Sequence, residues 1–371
     1  MLTRRSFFLT LPAAAMIGNA AGKESLVYVG SYTRGGSKGI YAYRFDHATG
    51  KLTEAGLAAE VPNPSFLAIH PNRRYLYAVN EQGGEGAVTA FEIDRASGKL
   101  AALNSGQTGG ASPCHLVVDR TMQNLLVVNY GKNASTAVFR LAKDGRLGER
   151  TSLVVHSGSG PNEKRQTAPH AHSVNLSKSQ RYAIVADLGT DEFLVYKFDA
   201  SKGTVAPHGA AKVKPGSGPR HFSFSPDFRH GYGLNEMGSL VSVFRWDESA
   251  GTLTHRQDIT TLPSDFRGTN NCAEILVHPN GRFVYASNRG HNSLAIYSAD
   301  RAEGTLTSLG QVSTQGQIPR NFRIDPSGNW LIAANQDSGN IVVFRLDKSS
   351  GKLTPAGVEV KTPFPVCIKF L

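Results

Sequence analysis

The chain has 371 residues, 39 glycines, 40% hydrophobic residues and a formal net charge of +11 from 40 Lys+Arg against 29 Asp+Glu. That balance fits a turn-rich, soluble β protein. No apolar run approaches the roughly 20 residues a membrane-spanning helix needs, and no Lys/Arg run with interleaved aromatics marks a nucleic-acid surface. The basic excess reads either as a solvated surface or as a field that draws in anionic small molecules.

Residues 1–22 read as a targeting segment. Thr3-Arg4-Arg5-Ser6-Phe7-Phe8-Leu9 matches a twin-arginine signal, an apolar stretch runs from Phe7 to Ile17, and Gly18-Asn19-Ala20 offers a small-residue cleavage site. The expectation is export in the folded state to the periplasm. Removing Arg4 and Arg5 lowers the net charge to +9.

From Leu26 onward the chain is a repeat, and repeats are read before any length-based domain count. A proline followed by an apolar strand opens the units Pro64–His70, Pro113–Asp119, Pro169–Asn175, Pro219–Ser225, Pro319–Asp325 and Pro365–Leu371. The unit Cys272–His278 lacks the proline. The seven marks lie 46 to 56 residues apart. A second strand ends in Asn80, Asn129, Asp187, Asn235, Asn288 or Asn335, 16 residues after the mark in five units and 18 in the Pro169 unit. A third strand leads to a turn with Asp four residues before Gly, as in Asp94 to Gly98, Asp247 to Gly251 and Asp347 to Gly351. There Asp caps the turn and Gly supplies positive φ. A fourth strand completes each unit.

Four short antiparallel strands per unit and seven units predict an all-β, seven-bladed β-propeller. The seventh unit is split. Pro365–Leu371 has no strand after it, and Leu26–Ser31 has no first strand before it. Pairing of these terminal strands closes the ring and leaves no open edge. One domain is therefore expected over residues 24–371. Cys114, Cys272 and Cys367 are an odd set at strand starts and read as small buried residues rather than a disulfide framework.

Because neighbouring strands are antiparallel, the start of each first strand and the end of each second strand share one face of the disc. After the proline stand Ser65, Cys114, His170, Arg220, Ala273, Arg320 and Val366, with His172 two places beyond His170. After the asparagine stand Glu81, Tyr130, Leu188, Glu236, Arg289 and Gln336, with Tyr32 in the split blade. His170, His172, Arg220, Glu236, Arg289 and Arg320 should converge on one mouth of the central channel, with Glu81, His221 and Glu274 nearby. Such a set suits anion binding and acid/base chemistry. The histidines could equally be core residues or a metal pair, and the arginines could be structural ties between blades. The neighbouring cations disfavour a metal, so no metal and no cofactor are expected.

At these residues the chain resembles the seven-bladed propeller 6-phosphogluconolactonases and the related carboxy-muconate lactonizing enzyme. The matching motifs are Tyr28-Val-Gly-Ser-Tyr-Thr33, Asn80-Glu81, Asn129-Tyr130, Gln166 with Pro169-His-Ala-His-Ser173, Asp187-Leu-Gly-Thr-Asp191, Gly218-Pro-Arg-His221, Asn235-Glu236, Ser287-Asn-Arg-Gly290 and Pro319-Arg-Asn-Phe322. The resemblance implies a lactonase that hydrolyses a sugar lactone without metal. It places catalytic roles on His172, Glu236, Arg220 and Arg289, with His170 as the alternate histidine. Arg320, Glu81, His221 and Glu274 complete the expected substrate-binding set. The expected partner is an anionic small-molecule substrate, and the oligomeric state is open. Two alternatives stand beside hydrolysis: lactonization of an unsaturated diacid, and a non-catalytic propeller that binds a partner. The export signal sits uneasily with a phosphorylated, cytoplasmic substrate.

Overall fold

The structure, a computed structural model, describes residues 24–371. The targeting segment expected at residues 1–22 lies outside them. Twenty-eight strands form seven four-stranded sheets, each antiparallel and ordered from an inner strand outward. No helix occurs among the described residues.

The period-2 pattern explains the radial order. In six blades every residue from the start of the second strand to its Asn or Asp is buried, as in Tyr75–Asn80 and Trp330–Asn335, because both faces pack on neighbouring blades. The outermost strands alternate half-buried and exposed positions, as residues 356–361 do, because one face meets solvent. Aromatic rings fill the wedges between blades. Phe193 packs at 5.5 Å from Phe222 and 5.4 Å from Phe244.

Asp-capped turns occur in six blades, joining Asp46, Asp199 and Asp300 to the three read from sequence. In each, the carboxylate accepts from the backbone N–H two residues on, and a glycine donates back to the Asp carbonyl. Gly251 shows why no side chain fits. Its φ is 68°, and a Cβ would come within 2.2 Å of the Tyr182 ring in the adjacent blade.

Ring closure follows the expected route. Glu24–Ser31 pairs with Pro365–Phe370 in antiparallel register, with Val27 opposite Phe370 and Val29 opposite Ile368. The N–H of Leu371 adds a bond to the Leu26 carbonyl at 2.8 Å. Gly30 is required here, since a Cβ would meet the Pro64 carbonyl at 2.1 Å.

One register differs from the sequence reading. In the Pro169 unit the residue opposite Asp187 is Ala171, whereas Pro219 lies opposite Asn235 and Pro319 opposite Asn335. Ala171 therefore occupies the position held by proline elsewhere. The interval to Asp187 becomes 16 as in the other blades, and His172, not His170, is the counterpart of Arg220 and Arg320.

Val366, Cys367 and Ile368 are buried in the closing strand, and each large apolar side chain of this kind contributes roughly 1.5–3 kcal/mol. Deleting residues 365–371 removes these contacts and opens an edge. The expected result is loss of a cooperative melt and conversion of soluble protein to aggregate, read by circular dichroism and size-exclusion chromatography.

Candidate active site

In six of the seven blades the second strand ends in an Asn or Asp that does structural work. Asn288 donates to the Thr261 carbonyl at 3.0 Å, and Asn335 to the Thr314 carbonyl at 3.0 Å. Asp187 accepts from the His170 N–H at 2.8 Å and from the buried His156 ring at 2.7 Å. With that residue fixed, the next one is delivered to the channel mouth. In this way Glu81, Tyr130, Glu236 and Arg289 arrive from four different blades.

Glu236 is the centre of the arrangement. Its N–H donates to the Gly218 carbonyl at 2.7 Å and its carbonyl accepts from the Cys272 N–H at 2.9 Å, tying it to two blades. One carboxylate oxygen accepts from Arg220 and Arg289, both at 2.8 Å, and the other from Arg165 at 2.9 Å. Burial alone would raise the Glu236 carboxyl; Arg289, Arg220 and Arg165 overcome it and hold the group at about 2. Arg220 is 2% exposed and also donates to the Ala273 carbonyl at 2.5 Å. Burial and the neighbouring Arg289 and Arg320 pull it down to about 10, so it stays charged at neutral pH. Arg289 donates to the Cys272 carbonyl at 2.9 Å.

Arg320 lies over the Tyr32 ring at 5.2 Å. The Tyr32 hydroxyl donates to both Glu81 oxygens at 3.1 Å. Burial, and the nearby Glu81 carboxylate, push the Tyr32 hydroxyl up. Arg320 itself is raised, since Tyr32, Glu81 and Glu236 outweigh its burial. Four guanidiniums, Arg165, Arg220, Arg289 and Arg320, thus face two carboxylates, Glu81 and Glu236, and the mouth keeps a positive surplus.

Below them a chamber of about 10 Å³ is bounded by Ser65, Cys114, His172, Arg220, Arg320 and Val366. This is the size of one water position. The His172 ring is buried, with its Nδ1 unpartnered. Desolvation, then Arg220 and His221, hold it well below 6.5 and therefore neutral. His170 is half-buried and stacks on Tyr130 at 4.5 Å. Its Nδ1 donates to the Tyr130 carbonyl at 2.8 Å, which leaves Nε2 as the acceptor nitrogen.

His172, Arg220, Glu236, Arg289, Arg320, Glu81 and His170 are thus gathered at one mouth. His221 and Glu274 sit one residue deeper along their strands. His221 borders the chamber from below, while Glu274 lines the cavity at the opposite end of the channel. The two carboxylate oxygens of Glu274 are taken by His221 at 2.8 Å and Asn321 at 2.5 Å. Tyr130 and Tyr32, set at mouth positions by the sequence reading but given no role there, complete the mouth together with Arg165, which that reading did not name. Arg165 hangs on the loop between Leu147–Val155 and Ala171–Leu176, whose anchor is buried Gln166, donating to the Leu188 carbonyl at 2.8 Å. The wide 56-residue interval before Pro169 is the sequence feature that could have found this loop, though not the direction of Arg165. Among the described residues no group of three or more His, Cys, Asp or Glu is placed to hold a metal ion.

Three imidazoles, His172, His221 and His115, run down the channel with 5.4 Å between successive ring centres. Burial first, then neighbouring charge, lowers all three below 6.5. An unfolded chain takes up protons near pH 6.5 that the folded one refuses, so their contribution is complete above that value and is lost as pH falls below it. Calorimetry should show Tm dropping between pH 7 and pH 5, and less steeply in His172→Gln.

The family model described as lactonase, 7-bladed β-propeller, matches residues 26–370. The chain is 38% identical over 344 residues to the 6-phosphogluconolactonase of Bacillus subtilis, covering 93% of this chain and 97% of that protein. It is also 38% identical over 312 residues to the 6-phosphogluconolactonase of Formosa agariphila, covering 81% and 86%. Among solved structures, the periplasmic gluconolactonase of Pseudomonas aeruginosa superposes with a TM-score of 0.88 at 32% identity, over 94% of this chain and 99% of that one.

Proposed function

The chain belongs to the seven-bladed β-propeller lactonase family, and from that premise we propose that it hydrolyses an anionic sugar lactone at the channel mouth. The observation that carries this reading is the surplus of four guanidiniums over two carboxylates around one opening. A phosphate or carboxylate finds bidentate partners there. The same groups stabilise the oxyanion as the lactone carbonyl is attacked. The 10 Å³ chamber is too small for a sugar ring, so the lactone lies across the mouth with its carbonyl toward Arg220 and Arg289.

The roles divide by basicity. Glu236, held at about 2 with both oxygens engaged, is a poor proton acceptor. It is a positioning residue that fixes three arginines. Neutral His172 faces the chamber with an unpartnered nitrogen and takes the proton from the attacking water. Water oxygen bonds to the carbonyl carbon, the ring C–O bond breaks, and the ring oxygen leaves with a proton returned from the imidazole. His170, with Nε2 free to accept, is the second candidate for the same step. Residues 1–22 read as an export signal, and a periplasmic gluconolactonase among the similar structures supports placement of this enzyme in the periplasm.

Purified protein should open glucono-δ-lactone and its 6-phosphate above the spontaneous rate, unaffected by chelator. The phosphate ester should be preferred, and Arg320→Gln should shrink that preference. Arg220→Gln should lower kcat by about 10²–10³-fold and, as loss of one partner of a buried ion pair, lower Tm while the melt stays cooperative. His172→Gln should lower kcat likewise while His170→Gln keeps most activity; the opposite pair of results assigns the proton step to His170. Unchanged turnover in Arg220→Gln defeats the proposal.

Replacing Glu236 with Gln removes the only carboxylate that three guanidiniums share. Loss of one partner from a buried ion cluster costs about 3–5 kcal/mol, so Glu236→Gln should lower Tm as well as kcat. Arg165→Gln, at the half-exposed end of the same cluster, should raise KM with little change in Tm.

A further inference from the structure

The opposite end of the channel opens into a cavity of about 740 Å³, within the range of small-molecule sites. Three cations line it: Arg323 and Lys369 from the inner strands of adjacent blades, and Arg73 from the turn after a third inner strand. Lys369 Nζ lies 4.2 Å from the Phe66 ring centroid, and among the described residues neither Lys369 nor Arg323 has a carboxylate within ion-pair distance. The carboxylates of the cavity are already committed. Glu274 is bonded to His221 and Asn321, and Asp325 to His47, Ser327 and the Trp330 N–H.

A third observation comes from Asn175. It lines the same cavity, and its amide nitrogen is buried with no hydrogen-bond partner. Three cations and an orphaned donor around one cavity leave donors without acceptors, which a protein normally avoids. Mutual repulsion with Arg323, after burial, brings the Lys369 ammonium down to about 8.

We propose that this second mouth is a binding site for a small oxyanion, carboxylate or phosphate, held by Lys369 and Arg323 with Asn175 as the neutral donor. The volume exceeds that of inorganic phosphate, so a polyhydroxy acid or sugar phosphate fills it better. The site is separate from the catalytic mouth and does not depend on the lactonase reading.

The test is titration calorimetry of the purified protein with sodium gluconate and, separately, inorganic phosphate. Either anion should bind, and whichever gives heat identifies the chemistry held. Lys369→Gln should weaken that binding about tenfold or more, as expected for a hydrogen bond to a charged group. Lys369→Gln/Arg323→Gln should abolish it, and Lys369→Arg should retain it. Arg220→Gln should leave it intact, and lactone turnover should stay within about twofold in Lys369→Gln. No heat with either anion overturns the proposal. So does binding that Lys369→Gln leaves unchanged, or that only Arg220→Gln removes, since the anion would then sit at the catalytic mouth.

Discussion

Closure of the ring by its own two ends is the constraint on which everything else hangs. Glu24–Ser31 and Pro365–Phe370 pair across the whole length of the chain, and only a closed ring directs seven inner strands at one axis. A propeller blade cannot bury both faces alone; it needs a neighbour on each side. The fully buried second strands, from Tyr75–Asn80 to Trp330–Asn335, record that requirement. Once the ring is closed, residues 50 to 150 positions apart become neighbours, as Arg165, Arg220 and Arg289 do around Glu236.

That convergence creates a problem which the site turns to use. Three guanidiniums cannot crowd together unless a counter-charge holds them, and Glu236 is the group that does so. The consequence is a carboxylate too acidic to serve as a base, next to imidazoles kept neutral by burial and by the same cations. In the proposed mechanism, positioning and proton transfer thereby fall to different residues. The channel continues past this point to a second basic mouth, so the positive character of the chain has a location as well as a sum.

Much of this was legible in the residues. The spacing of prolines and asparagines revealed the blade count, and the unmatched strands at each end revealed the closure, because both follow from one four-strand unit repeated along the chain. The Asn-Glu and Asn-Arg pairs pointed to Glu236 and Arg289 for the same reason. Periodicity failed where the chain is irregular. Pro169 looked like the start of its strand, but two residues are inserted before the pairing begins and Ala171 takes the aligned place. Arg165 was missed because its direction comes from the buried Gln166 amide in a loop, and no repeat encodes that. His221 and Glu274 follow mouth residues by a single position, yet that step moves them down the channel toward the far cavity.

The asparagine at the end of most second strands separates two duties. It secures the backbone through bonds such as Asn288 to Thr261 and Asn335 to Thr314, while the following residue is set at the mouth-side end of the strand. Glu81, Tyr130, Leu188, Glu236, Arg289 and Gln336 show how widely that neighbour varies on an unchanged scaffold. Such a division lets single positions around the opening change its charge pattern while the strand ends stay fixed, at a cost to the ring only where, as at Glu236, the residue also ties its neighbours together.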